Sequence, residues 1–314
     1  MKEKELKSIL YRDKSKIEAE QIYAKQIELL IDLVNYGTNL VVRAYDSRRK
    51  KDIESTVTIA VLLKHIVQMI DGVQVLIAAG AAHAASLQAR SAFEAYLSLL
   101  WILQDDSVKR ATFYYVSSAR KTRSATLRLI RGTQENDQYQ EIYSELKEFA
   151  RPIDWDAISN TAKDDLKRID TYLQKANIKD ISDTLKKKRG SRDYEIEWYK
   201  ALDVRSIREL ADKVEQLPVY DLYYSKFSEV MHGSSYKDQI ETKDGIVYLE
   251  DIRDLKDACN VIALSCHVAV GSYIAIIQRY RNGELKQFTR KYMTDWRESF
   301  LNIPLVNYKR VKPR

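Results

Sequence analysis

The chain has 314 residues, room for one large or two modest domains, and its 45% apolar content excludes a disordered polymer. With 9 glycines and 4 prolines, breakers are scarce, which argues for long helices with few tight turns. A net charge of +7 raises an anionic partner, RNA or a nucleotide, against the plainer reading of solvated helix faces and a loose basic tail.

The expected elements run as follows. Residues 16–46 form an amphipathic helix with Ile22, Ile27, Leu29, Leu30, Leu33 and Val41 on its apolar side. A second, over 52–79, carries Ile59, Leu62, Leu63, Ile66, Met69 and Ile70 at helical spacing. Gly80 separates it from a third helix, 83–103, apolar on nearly every side, which reads as buried. That helix nevertheless carries Ser86, Arg90, Glu94 and Ser98 at a step of four, one polar stripe. Asp105, Asp106 and Ser107 offer caps for a basic helix that Gly132 ends. Between Val108 and Arg131 it holds Lys109, Arg110, Arg120, Lys121, Arg123, Arg128 and Arg131 and no acid. Tyr114 and Tyr115 add aromatic faces for stacking on bases.

Helices are expected at 134–150 and 155–176, the latter with a narrow stripe of Ile158, Leu166, Ile169 and Leu173. Residues 177–197 are charged and less periodic, a loop, and include the basic cluster from Lys186 to Arg192. Helix 203–215 precedes helix 218–232, which starts at Pro218 and stops before Gly233, the usual asymmetry of breakers. It carries the second stripe, Tyr220, Tyr224, Ser228 and His232, again at a step of four. A short hairpin is expected within 236–250, turning at Lys243-Asp244-Gly245. A long apolar helix, 251–280, and a last one, 284–300, lead to the basic tail.

Cys259 and Cys266 fall on one side of one helix about 10.5 Å apart, too far for a disulfide. Reduced cysteines and a charged N-terminus without a signal-peptide pattern set the expectation of a cytoplasmic protein. The stretch Val57 to Leu103 is broken by Lys64, His65, Asp71, Arg90 and Glu94, so no membrane span is expected. No metal-ligand motif and no phosphate-binding glycine loop is found, so neither metal nor cofactor is expected.

Charges within a buried helix must be paired or used. Arg90 and Glu94 read either as a buried ion pair tying helices together or as a guanidinium aimed at a phosphate and oriented by Glu94. His232 sits at a helix C-terminus, where the macrodipole favours imidazolium and proton transfer near neutral pH. A C-cap contact is its plainer role. Ser228 lacks the strand-turn-helix elbow of a serine hydrolase. Of the other histidines, His83 shares a face with Arg90, His65 follows Lys64 on a helix at a partly exposed position, and His267 reads as a core polar residue.

Three blocks carry a family likeness: Arg90-Ser-Ala-Phe-Glu94, then Trp198 ahead of Ile207-Arg-Glu-Leu-Ala211, then Tyr220-x3-Tyr224-x3-Ser228-x3-His232-Gly-Ser-Ser. In this order they resemble the bacterial domain of unknown function 5677 family, over about residues 50–285. The resemblance implies an all-helical fold and a shared polar centre, and no established activity. A looser likeness is to the HEPN helical ribonucleases of toxin and antiviral systems, which carry Arg, four to six residues, then His. Here Lys226 stands at that spacing before His232, so Lys226 substitutes or Arg90 supplies the guanidinium from a facing helix.

The expectation is therefore all-α: a helical bundle core over 50–285, an N-terminal helix region 1–49 laid on it, and a C-terminal helix and tail over 286–314. The expected function is an RNA- or nucleotide-acting protein, read as a metal-independent ribonuclease. The candidate catalytic residues are Arg90, Glu94, Tyr224, Ser228 and His232; Arg110, Arg120, Lys121, Arg123 and Arg128 are candidates for contact with nucleic acid. The alternative is a non-catalytic ligand- or partner-binding sensor. A homodimer away from membranes is expected in either case.

Overall fold

The structure is a computed structural model that describes residues 9–46, 53–146, 154–191, 194–231, 240–243 and 245–306. The protein is all-α. In chain order the helices are α1 (Arg12–Asp46), α2 (Ile53–Ala78), α3 (Ala82–Leu103), α4 (Ser107–Leu127), α5 (Gln134–Leu146), α6 (Trp155–Leu173) and α7 (Ala176–Arg189). Then follow α8 (Ile207–Lys213), α9 (Leu217–Val219), α10 (Ser225–Met231), α11 (Ala258–Tyr280), α12 (Leu285–Lys291) and α13 (Arg297–Leu301). Strands β1 (Ile240–Lys243) and β2 (Ile246–Leu249) pair antiparallel, Ile240 opposite Leu249 and Lys243 opposite Ile246. All of Ile246, Val247, Tyr248 and Leu249 are exposed.

The chain forms two compact units, residues 1–105 with 207–314, and residues 106–206. This differs from a linear division at 49 and 285. The first unit is drawn from both ends of the chain, because its core closes only when α11 joins α1, α2 and α3.

In that core α1 packs on α2, α2 on α3, α3 on α11 and α11 on α1, a four-helix bundle. Helix α1 is thus a full member rather than a helix laid outside. Its buried seam is Ala19, Tyr23, Gln26, Leu30, Leu33, Gly37, Leu40 and Ala44, a regular alternation of four and three residues. Ile22, Ile27 and Val41, expected at its centre, lie half-buried at the edges. The seam shifts because Gly37 admits Tyr273 of α11, whose hydroxyl donates to the Leu33 carbonyl at 2.8 Å. A β-carbon at residue 37 would overlap that hydroxyl, and one at residue 271 would overlap the hydroxyl of Tyr96 on α3. The α1–α11 and α11–α3 contacts are therefore both built on a tyrosine over a glycine.

The C-terminal segment clamps the outside of α1. Trp296 Nε1 donates to Asp32 Oδ2 at 2.6 Å and Lys291 Nζ to the same oxygen at 2.8 Å. The Tyr36 ring meets Tyr273, Phe288 and Trp296 at 5.4–5.6 Å between centroids. Tyr23 donates to the Pro304 carbonyl at 2.9 Å.

Two segments, Glu54–Ala78 and Ala258–Tyr280, are long and apolar enough to cross a membrane by length and composition. Both supply core residues to the bundle, among them Leu63, Ile66 and Ile70 of α2 and Val261, Leu264 and Val268 of α11.

In the second unit α4 packs against α6 and α7, burying Ala111, Phe113 and Val116. Residues 177–197, expected as a loop, instead include all of α7 but its first residue. Its apolar face is only Ile178 and Leu185, with the small Ser182 between. The basic run Lys186–Arg189 that suggested a loop occupies the last turn, where cations meet the negative end of the helix dipole. Gly190, at φ 62, ends it. Helix α4 stops at Leu127, short of the expected Gly132, and α11 begins at Ala258 rather than 251.

Gly37→Ala should lower stability by about 1–3 kcal/mol, the usual cost of overpacking. Urea denaturation checks it, and pairing the change with Tyr273→Phe should recover part of the loss, since the hydroxyl is what the new methyl meets. His267 tests the interior by pH. Its Nε2 lies 2.7 Å from Gln216 Oε1 and burial lowers its pKa below 6.5, as burial also does for His65. The unfolded chain therefore binds these protons more readily, so stability is full above about pH 6.5 and falls on acidification. His267→Gln should flatten the dependence of the urea midpoint on pH between 7.5 and 5.5. An unchanged slope would remove His267 from the account.

Candidate functional site

Helix α3 presents the first polar stripe. Its outer members are structural: Ser86 and Ser98 are buried, and Ser86 Oγ donates to the His83 carbonyl at 2.7 Å. Arg90 and Glu94 reach the surface against the chain from Tyr220 to Met231. That chain is not a plain α-helix: Leu217–Val219 gives way to a π-turn over Tyr220–Tyr224, in which Ser225 N–H reaches back to the Tyr220 carbonyl. Such single wide turns occur often at functional sites. Here Tyr220 and Tyr224 stack at 4.7 Å, 26° between planes.

Arg90, Glu94 and Tyr224 close a triangle. Arg90 Nε donates to Glu94 Oε1 at 3.1 Å, Arg90 NH2 to Tyr224 Oη at 2.9 Å, and Tyr224 Oη to Glu94 Oε1 at 2.7 Å. The guanidinium carbon is 4.7 Å from the Tyr224 ring centroid, and Phe93 backs the ring at 5.9 Å. Burial raises the Tyr224 pKa, helped by the hydrogen bond to Glu94 and its charge, so the phenol stays neutral and keeps both bonds. The remaining guanidinium arm, NH1, points to Met231 Sδ at 2.8 Å. A thioether is a weak acceptor. Among the described residues this arm of Arg90 has no oxygen partner, and a ligand oxygen would serve it better than the thioether does.

The pair is less buried than the sequence suggests. The Arg90 side chain is 13% exposed, but that of Glu94 is 43% exposed. Helix α3 is a core helix whose charged pair sits where the bundle meets water, so the desolvation cost is smaller than for an interior pair.

Of the other expected members, Ser228 is half-buried one turn beyond Tyr224 and stands outside the triangle. His232 lies outside the described residues. Lys226, the alternative cation before His232, donates to Asp257 at 2.6 Å, so Arg90 alone of the two belongs to the cluster. Sequence reasoning missed Met231, which no spacing marks. It also missed a His65–Ser91 hydrogen bond of 3.0 Å between α2 and α3.

The basic helix α4 differs from the expectation of an open cationic face. Arg120 is only 12% exposed and pairs with Glu195, itself 7% exposed; Lys121 pairs with Glu197 at 2.8 Å and Arg123 with Asp170 at 2.6 Å. Arg110 is half-buried and Arg128 is exposed. Tyr114 packs edge-on to Trp198 and Tyr115 to Tyr172. A window without acids in sequence is supplied with acids by α6 and by the segment after α7.

An all-helical protein with a polar triangle of Arg, Glu and Tyr across two helices is thus defined by fold and site together. The chain belongs to a family of unknown function, DUF5677, whose model matches residues 57–246 and so spans every member of the triangle. Comparison with curated proteins and with solved structures gives no match.

Tyr224→Phe removes one hydroxyl that both charged partners use. Stability should fall by about 1.5–3 kcal/mol, the range for hydrogen bonds to charged groups, in a denaturant titration. Glu94→Ala should cost about 1–3 kcal/mol, less than the roughly 3–5 kcal/mol of a fully buried pair. A larger loss for Glu94→Ala would return the pair to the interior.

Proposed function

We propose that the Arg90–Glu94–Tyr224 triangle grips a phosphate of RNA or of a nucleotide, and that the protein is a ribonuclease of the HEPN kind with a toxin or antiviral role. The observation that carries the reading is Arg90 itself. Two of its arms are fixed by Glu94 and Tyr224, and among the described residues the third meets a thioether. A guanidinium held in this way is preorganised for a phosphate oxygen and for the added charge of a phosphorane. The sequence spacing that places His232 directly after Met231 supports a proton-transfer role for it.

In this reaction the 2′-oxygen attacks the adjacent phosphorus and its proton passes to His232. The bond from phosphorus to the 5′-oxygen breaks, and the leaving oxygen takes a proton from the imidazolium. The product ends are a 2′,3′-cyclic phosphate and a 5′-hydroxyl. A cytosolic setting is consistent with two free cysteines, of which buried Cys266 has its thiol pushed up to about 12. The exposed apolar strand Ile246–Leu249 is consistent with a homodimer.

Incubation with total RNA in chelator tests the proposal. The native protein should cut RNA to cyclic-phosphate ends and leave DNA intact, because DNA lacks the 2′-hydroxyl. Arg90→Ala and His232→Ala should abolish cleavage, with the melting temperature of His232→Ala nearly unchanged. Full activity in His232→Ala would end its role. RNA that is bound but never cut would favour a non-catalytic binding module built on the same triangle.

A further inference from the structure

The unit of residues 106–206 holds a cleft of about 490 Å³, within the range that encloses a small organic ligand rather than a bare ion. The Arg120 guanidinium lies in its wall, mostly buried. Nε and NH2 go to the two oxygens of Glu195 at 3.0 and 2.9 Å, a bidentate pair, and NH1 goes to Ser182 Oγ at 3.1 Å. Glu195 also accepts from Arg189 NH1 at 3.3 Å, so one carboxylate serves two guanidiniums. Arg123 and Lys186 line the same cleft, and Lys186 is exposed. Helices α4 and α7 thus bring four cations to one cavity, where Glu195 pairs with Arg120 and Arg189 and Asp170 pairs with Arg123.

Burying such groups costs several kcal/mol per ion, and apolar side chains of similar volume would hold the helices together at least as well. Such an arrangement suits a recognition site. Glu195 and Ser182 fix the orientation of Arg120 in advance, as binding of a planar or tetrahedral anion requires. The exposed carboxylates Glu135 and Asp183 stand in the same lining and face any ligand with hydrogen-bond acceptors. They disfavour a polyanion filling the cleft and favour a molecule with one anionic end and a donor-bearing end.

We propose that this cleft binds a small phosphorylated ligand of mononucleotide size. The phosphate sits among Arg120, Lys186 and Arg189, and hydrogen-bond donors of the ligand are directed to Glu135 and Asp183 of the same lining. The site does not depend on the ribonuclease reading, since none of its residues belongs to the Arg90 triangle.

Isothermal titration calorimetry of the full chain with adenosine, inorganic phosphate, AMP and ATP tests it. AMP should bind in the micromolar range and more tightly than inorganic phosphate, while adenosine should bind at least tenfold more weakly than AMP. Lys186→Glu, a change at an exposed position, should weaken AMP at least tenfold, and Arg189→Lys should weaken it several-fold. Arg90→Ala should leave AMP affinity unchanged. Absence of binding by AMP and ATP at millimolar concentration overturns the proposal. So does adenosine binding as tightly as AMP, or native affinity in the Lys186→Glu variant. Loss of AMP binding in Arg90→Ala would move the phosphate to the triangle and overturn this site while supporting the other.

Discussion

Two tyrosines seated over two glycines set the register of the bundle. Tyr273 of α11 lies on Gly37 of α1, and Tyr96 of α3 lies on Gly271 of α11. These contacts leave no room for sliding, because interior packing is as dense as a crystal and tolerates no overlap. Arg90 and Glu94 lie on α3 just before Tyr96, so the contact that aligns α3 with α11 also fixes the height at which the charged pair emerges. The polar triangle is a consequence of apolar registration.

Much of this was legible in the sequence, and the parts that were not share a cause. The two stripes stepping by four were visible, and three of their members, Arg90, Glu94 and Tyr224, do meet. What spacing does not encode is depth: Glu94 lies on a core helix yet is 43% exposed. The π-turn at Tyr220–Tyr224 was also invisible, since a step of four describes an α-helix equally well. Met231 entered the site through its sulfur, and no residue pattern marks that.

The second unit shows the limit of reading charge along the chain. Residues 108–131 contain no acid, but Arg120, Lys121, Arg123 and Arg131 each find one elsewhere, on Glu195, Glu197, Asp170 and Asp156. Compensation in three dimensions is non-local. The same non-locality hid α7, whose charged surface outweighs a face of only Ile178 and Leu185.

The division of the bundle between both ends of the chain bears on its biosynthesis. Helices α1 to α3 are complete at Leu103, whereas α11 begins at Ala258, about 150 residues later. At about 5–20 residues per second, the nascent chain waits roughly 8–30 s before the fourth wall of the bundle leaves the ribosome. Throughout that interval the groove at Gly37 and the ring of Tyr96 lack the helix that fills them. The intervening unit, residues 106–206, emerges whole in the meantime and is free to fold first. Helices α1 to α3, made before the intervening unit, are therefore completed after it, and their apolar faces stay open throughout that window.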